Sequence, residues 1–341
     1  MKILITGGCG FVGSNIAIYL KKKLKKAKIC SLDNLTRRGS IYNQKRLKKY
    51  KITNFNINIE NCNKVKLLPK FNLVIDCCAE PAIEASKKEP TRVFNTNLLG
   101  TFNVLNKCIK DKANILFLSS SRVYSIEKLR KLVKNLNIIN SLKINKKIDE
   151  KFETHEASSL YGFTKLASEK LIKEFFYKTN LKYIINRFGV IAGPWQFGKQ
   201  DQGFVSLWVA KHFFKKNLSY IGFGGNGHQV RDVIHINDVC KIILIQIKRL
   251  RSINNDTFNI GGGANNTISL KNLTAKCQKL TKNKIHLKKI SKTSTFDIPY
   301  YVTDNSKISK FYKWKPAHNI DKLINDIYNW LSENHKFKKY F

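Results

Sequence analysis

Lys2-Ile3-Leu4-Ile5-Thr6-Gly7-Gly8-Cys9-Gly10-Phe11-Val12-Gly13 is a short apolar run followed by a G-x-x-G-x-x-G series. Past Gly13 the apolar spacing becomes helical as far as Leu24. A strand that turns on glycines straight into a helix has a physical use. The glycines permit a tight turn, let backbone N–H groups approach a pyrophosphate, and allow close helix–sheet packing. Asp33 ends the next apolar run, Ile29–Asp33, twenty residues beyond Gly13. A carboxylate there accepts hydrogen bonds from both hydroxyls of a ribose and repels a 2′-phosphate, which favours NAD, while Arg37 and Arg38 nearby leave NADP as the lesser alternative. Gly7, Gly10, Phe11, Val12, Gly13, Asp33 and Asn34 are therefore the first candidate cofactor contacts.

Further strands are expected at Asn54–Ile59, Leu73–Cys77, Ile115–Ser119 and Tyr183–Phe188, with helices at Thr91–Lys110 and Ser159–Thr179. Alternating strands and helices imply an α/β fold, a doubly wound parallel sheet of Rossmann type. After Arg187 the pattern changes to glycine-rich loops and isolated helices. The expected division is a dinucleotide domain over 1–187, with 230–262 returning to it, and a smaller, discontinuous α/β substrate domain over 188–229 and 263–341. The site is expected in the cleft between them. The lysine-rich stretch 126–151 reads as a helical insertion at the sheet edge.

Composition narrows the function. The net charge is +40, but only ten of the 63 basic residues are arginine, and the lysines are spread along the whole chain. Without an arginine stripe, a basic tail or an RNA-binding aromatic motif, nucleic acid is not an expected partner. No apolar run approaches a membrane span. The chain opens on a strand rather than a signal peptide, so a cytoplasmic location is expected. The eight cysteines contain no CxxC pair and read as reduced, buried thiols, with no metal site.

The reacting groups are expected on Tyr161-Gly-Phe-Thr-Lys165 and Ser120. With 13 tyrosines and this much lysine, about two YxxxK matches arise by chance, and the chain has three: Tyr19/Lys23, Tyr124/Lys128 and Tyr161/Lys165. Only Tyr161 falls near the start of a helix, with Lys165 one turn on along the same face. Ser120 falls at the carboxyl edge of the fifth strand, where open α/β sheets bind ligands. Removing hydride from a secondary alcohol needs a base for the hydroxyl proton. A free tyrosine is a poor base at neutral pH, and about 4 kcal/mol of preference for the phenolate is required. A lysine ammonium one turn away and the positive nicotinamide ring together supply it.

Thr6-Gly-Gly-Cys-Gly-Phe-Val-Gly13, Asp33-Asn-Leu35, Ser119-Ser-Ser-Arg-Val-Tyr124 and Tyr161-Gly-Phe-Thr-Lys165 resemble the extended short-chain dehydrogenase/reductase family, the NAD-dependent epimerases and dehydratases of nucleotide sugars. The resemblance runs from Met1 to Trp314-Lys-Pro316. It implies that Ser120, Tyr161 and Lys165 are catalytic, with Ser121 as the adjacent alternative hydroxyl. Asn58, Ile59, Ala79, Asn97 and Lys165 would join the cofactor set, and Ser121 would face the substrate; Glu80, at the end of the fourth-strand motif, either faces the substrate or caps the following turn. Dehydratases carry Asp-Glu or Ser-Glu after the catalytic hydroxyl, whereas this chain has Ser121-Arg122. Arg187–Gly203 and Tyr220–Asp232 are similar to the members that epimerise a CDP-linked sugar. In that likeness a carboxamide, Gln196 or Gln202, reads the base or sugar and Arg231 holds the pyrophosphate. The alternative for Arg231-Asp232 is a domain-joining salt bridge. Lys292 stands near where the family often has a second phosphate-binding arginine. A homodimer, built through the Thr91–Lys110 and Ser159–Thr179 helices, is usual in the family. The competing readings are a UDP-hexose 4-epimerase, a nucleotide-sugar reductase, and a non-catalytic relative that binds RNA or protein.

Overall fold

The computed structural model describes residues 1–81, 88–134, 146–155, 159–199, 202–252 and 255–341. The chain forms two compact units. One comprises Met1–Val123, Ser159–Arg187 and Val239–Phe258; the other comprises Tyr124–Ser158, Phe188–Asp238 and Asn259–Phe341.

In the first unit the strands are β1 (Lys2–Thr6), β2 (Lys28–Leu32), β3 (Thr53–Phe55), β4 (Leu73–Asp76), β5 (Asn114–Ser120) and β6 (Tyr183–Phe188). With the strand Asp256–Ile260 they form a seven-stranded sheet in the order 256–260, β6, β5, β4, β1, β2, β3. The pairs β3–β2, β2–β1, β1–β4 and β4–β5 are all parallel. The expected doubly wound α/β sheet is therefore present. Covering both faces of a parallel sheet buries alternate residues alike, which is why β1 and β4 read as unbroken apolar runs. The chain leaves β3 at one edge and re-enters as β4 on the far side of β1. That reversal opens a crevice at the carboxyl ends of β1 and β4, where such sheets bind ligands.

Helices α1 (Phe11–Lys23), α2 (Gly100–Asp111) and α3 (Leu160–Phe176) belong to this unit. Val104, Leu105 and Cys108 of α2 pack with Leu4, Val74, Ile115, Phe117, Ile172 and Phe176 in one core. The helix expected over Thr91–Lys110 is not continuous. Pro90–Phe94 leads into a π-helical turn, Asn95–Leu99, before α2 begins. A π turn rotates one residue out of the helical register. Here it accompanies an inward-facing, fully buried Asn97. The strand expected over Asn54–Ile59 is shorter, because Asn58 accepts from Glu60 N in a turn (3.2 Å) that ends the extended run.

The second unit corrects the boundaries expected from sequence. Val230–His235 does not return to the seven-stranded sheet. It pairs instead with Val190–Ala192, Thr267–Ser269 and Tyr300–Tyr301. Only the helix that follows and the strand Asp256–Ile260 serve the first unit. Ile126–Lys134 is helical, as expected, but belongs to the second unit; residues 135–145 of the lysine-rich stretch lie outside the described residues. No helix among the described residues is long and apolar enough to cross a membrane. All eight cysteines are free thiols; five are buried as expected, Cys77 and Cys78 are half-buried, and Cys62 is exposed because it begins a short surface helix.

Candidate active site

The glycine turn is shaped by close approach. Gly7 has φ +60°, and a Cβ on it would lie 2.9 Å from Cys78 Cα, just past β4. A Cβ on Gly13 would lie 2.3 Å from Gly7 O. Neither position tolerates a side chain. Gly10 caps α1, whose first turn carries no acidic residue, so the backbone N–H groups present an uncompensated positive end. Phe11 and Val12 are half-buried at the same turn.

Asp33 follows β2 and is buried. Its two oxygens accept from Leu35 N (2.8 Å) and Cys9 N (3.0 Å), which ties the carboxylate to the glycine turn. Burial pushes its pKa above the ordinary aspartate value, against the pull of those N–H bonds and of Arg37. Carboxylate oxygens have further lone pairs for a ribose. A cradle that a Cβ would fill, a helix end without acid, and a buried carboxylate beside both fit a dinucleotide.

The other cofactor candidates divide. Asn97 is buried between elements: it accepts from Glu80 N (2.7 Å) and donates to Glu80 O (3.3 Å) and Thr164 Oγ1 (3.1 Å). Ala79 is half-buried in the segment following β4. Asn34 and Asn58 are exposed, each with its side-chain oxygen turned back onto a nearby N–H, from Thr36 and Glu60. Ile59 has its side chain in the core and its carbonyl on Asn103 Nδ2 (3.0 Å).

Ser159 caps α3 by accepting from Gly162 N (3.2 Å), and this sets Tyr161 in the first turn of the helix. Helix α3 packs against β5 and against the 3₁₀ turn Ser121–Val123 that follows it. Lys165, 2% exposed, donates from Nζ to Leu118 O of β5 (2.9 Å), with the Phe117 ring centre at 4.5 Å. Ser120 is half-buried at the end of β5 and accepts from Arg122 N (3.1 Å); Ser121 opens the 3₁₀ turn. Tyr161, Lys165 and Ser120 thus belong to packed elements of one unit.

The rival tyrosines are occupied elsewhere. Tyr124 OH donates to Asn259 Oδ1 (2.6 Å), and the ring stacks on Tyr301. Tyr19 lies in α1, where burial pushes its phenol up, the wrong direction for a base.

Sequence reading missed the brace behind this edge. Ser119 Oγ donates to Glu169 Oε1 (2.5 Å), and Glu169 pairs with Arg187 through Nε (3.0 Å) and Nη2 (2.6 Å). Glu169 lies one turn past Lys165 on the same face of α3. A YxxxKxxxE spacing was the available signal.

In the second unit the substrate candidates turn inward. Arg231 is buried, with Nη2 on Asp297 Oδ1 (3.1 Å) and Ile298 O (2.5 Å), and Nη1 on Val230 O (2.7 Å). Its partner is thus Asp297 rather than Asp232. Arg130, also unforeseen, holds the same segment by donating to Ser294 O (2.9 Å) and Asp297 O (2.9 Å). Gln196 donates to Ile191 O (3.2 Å) and accepts from Ser206 Oγ (2.7 Å). Gln202 is bridged to Lys199 through the backbone. Lys292 is exposed. Among the described residues no three His, Cys, Asp or Glu side chains gather to hold a metal.

Comparison with known proteins agrees with the resemblance read from the motifs. The profile of the NAD dependent epimerase/dehydratase family matches residues 3–261. Over 97% of its length the chain is 28% identical to the CDP-paratose 2-epimerase of Salmonella typhi, 99% of which is covered. It is 27% identical to a putative UDP-glucose 4-epimerase of Methanocaldococcus jannaschii, over 98% of this chain and 99% of that one. In fold it is similar to UDP-glucuronic acid 4-epimerase of Bacillus cereus, solved with UDP-glucuronic acid and NAD, with TM-score 0.83 and 22% identity, covering 98% of this chain and 99% of that one.

Proposed function

Because the chain belongs to the NAD dependent epimerase/dehydratase family, with NAD as its cofactor, we propose that it epimerises a nucleotide sugar, a CDP-linked deoxyhexose at C2, in the manner of a CDP-paratose 2-epimerase. The observation that carries the reading is Tyr161, set by the Ser159 cap in the first turn of α3, with Lys165 anchored one turn on against β5. Bound NAD supplies a hydride acceptor and donor at one fixed nicotinamide face. Gly7, Gly10 and Gly13 would seat its pyrophosphate, and Asp33 would take the adenosine ribose.

Tyr161 takes the proton of the sugar hydroxyl at its phenolic oxygen and later returns it. Ser120 Oγ hydrogen-bonds the reacting oxygen. Lys165, whose Nζ donates to Leu118 O, would also serve the Tyr161 oxygen and the nicotinamide ribose. A sugar that must present both faces cannot be gripped tightly, so the nucleotide supplies most of the affinity. Arg231 is the proposed pyrophosphate anchor, held ready by Asp297, and Gln196, Gln202, Ser121 and Glu80 remain substrate candidates. Arg122, in place of the glutamate that dehydratases carry there, supports epimerisation over dehydration.

The proposed protein is a cytoplasmic homodimer. Phe94, Leu99, Phe102 and Ile109 leave apolar area exposed along residues 94–109, as does Phe163 on α3, and a second copy would cover them. The other enzyme reading, epimerisation of a UDP-hexose at C4, is supported by the Methanocaldococcus relative.

Epimerising the CDP-sugar in deuterium oxide and reading C2 by NMR tests the proposal. The hydrogen at C2 is expected to be retained, with no net cofactor consumed. Solvent deuterium at C2 would mean proton abstraction and overturn the mechanism. Turnover of a UDP-hexose alone would keep the chemistry and overturn the substrate.

A further inference from the structure

Glu80 was expected at the substrate or as a turn cap, and the structure ties its carboxylate to two cations. Arg37 Nη1 lies 2.6 Å from Oε1 and Arg92 Nη2 lies 3.3 Å from Oε2. Glu80 is placed rigidly: its side chain is 8% exposed, and Asn97 holds both its N–H and its carbonyl. Arg92 is steadied in turn by Glu89 at 3.0 Å.

The location gives the contact its meaning. Arg37 lies four residues past Asp33, beyond β2, and Glu80 lies four residues past Asp76, beyond β4. In the sheet, β1 runs between β2 and β4. A side-chain bridge from Arg37 to Glu80 therefore crosses the carboxyl end of β1, above the Gly7–Gly13 turn that seats the pyrophosphate. We propose that Glu80, through Arg37 and Arg92, acts as a positioning residue that straps the dinucleotide into the protein between turnovers.

The chemistry suits a strap that opens and closes. An enzyme that returns its hydride within each turnover has no need to exchange cofactor. The arginine side chains are 35% and 48% exposed, so each can rehydrate when the bridge parts. The buried Glu169–Arg187 pair, at 2% and 8%, could not part without stranding two charges. Half-exposed pairs are weak singly, and two on one buried carboxylate are expected to change an equilibrium by about tenfold. They are also screened by salt.

The inference rests on the cofactor and not on which sugar is turned over, so its test needs no substrate. Protein loaded with NADH is chased with excess NAD, and loss of bound-nicotinamide fluorescence gives the release rate. Glu80→Gln, which loses both pairs, is expected to release about tenfold faster, Arg37→Gln, which loses one, about threefold faster, and the double variant no faster than Glu80→Gln. High salt should speed release from the unmodified protein and do little in Glu80→Gln. Unchanged release, slower release in Glu80→Gln, or additive effects in the double variant would each overturn the strap. Arg37 is half-exposed, so Arg37→Gln decides the matter alone if Glu80→Gln does not fold.

Discussion

The carboxyl ends of β1, β2, β4 and β5 and the strand Val230–His235 both carry polar side chains that sequence reading assigned to ligands, and they hold them differently. In the first unit residues outside the assigned set share the bracing with candidates such as Asn97. Glu169 and Arg187 carry Ser119, Asn97 carries Glu80, and the Ser159 cap sets Tyr161. In the second unit the assigned residues are themselves the bracing: Arg231 ties down Asp297 and Ile298, and Gln196 spans Ile191 and Ser206. A nucleotide seat can be pre-organised by groups behind it.

The largest expected effect tests the first region. Tyr161→Phe removes only the proton acceptor and should cut turnover by roughly 10²–10⁴-fold while the protein still retains NAD through purification. Tyr124→Phe should cost about 1 kcal/mol of stability, from the bond to Asn259, and leave the chemistry. If Tyr124→Phe were the inactive variant and Tyr161→Phe the active one, the comparison would break at its first term.

Next comes the brace. Glu169→Ala leaves Arg187 charged and buried, a change worth about 3–5 kcal/mol and visible as a large fall in melting temperature. Replacing both partners with apolar residues of similar size should recover much of that loss. A single variant that melts with the unmodified protein would mean the pair is solvated and braces nothing.

The third effect concerns the second region and is read in pH. Burial raises Asp232 from 3.8 to about 6. The folded state therefore holds this proton more tightly, and the group's stability contribution, full below pH 4, is lost as pH rises to 6. His235 is lowered from 6.5 to about 4, first by burial and then by His318, stacked on it at 4.5 Å. Its contribution is present above pH 6.5 and lost as pH falls to 4. Each amounts to about 3 kcal/mol, with opposite sign, so between pH 4 and 6 they nearly cancel. Asp232→Asn should make the unit acid-labile in that window, and His235→Asn should make it more stable toward acid. Melting temperatures measured from pH 4 to 7 check this, and two flat profiles would remove the opposition.

The sequence alone determined the first region because its determinants are local. A glycine series between a strand and a helix, an aspartate one strand later, and a tyrosine and lysine one helical turn apart are each set by backbone periodicity within a short stretch. It also carried the doubly wound sheet, since burial on both faces writes continuous apolar runs into β1 and β4. Tertiary structure alone decided which sheet Val230–His235 joins, because a strand this short can pair with any open edge. It gave the Tyr124 hydroxyl its partner, Asn259, which lies 135 residues away. It placed Arg37 against Glu80, 43 residues apart, because β1 enters the sheet between the strands that carry them. Local patterns fix which groups a segment can present; which of them remain for a ligand depends on contacts made after the chain has closed on itself.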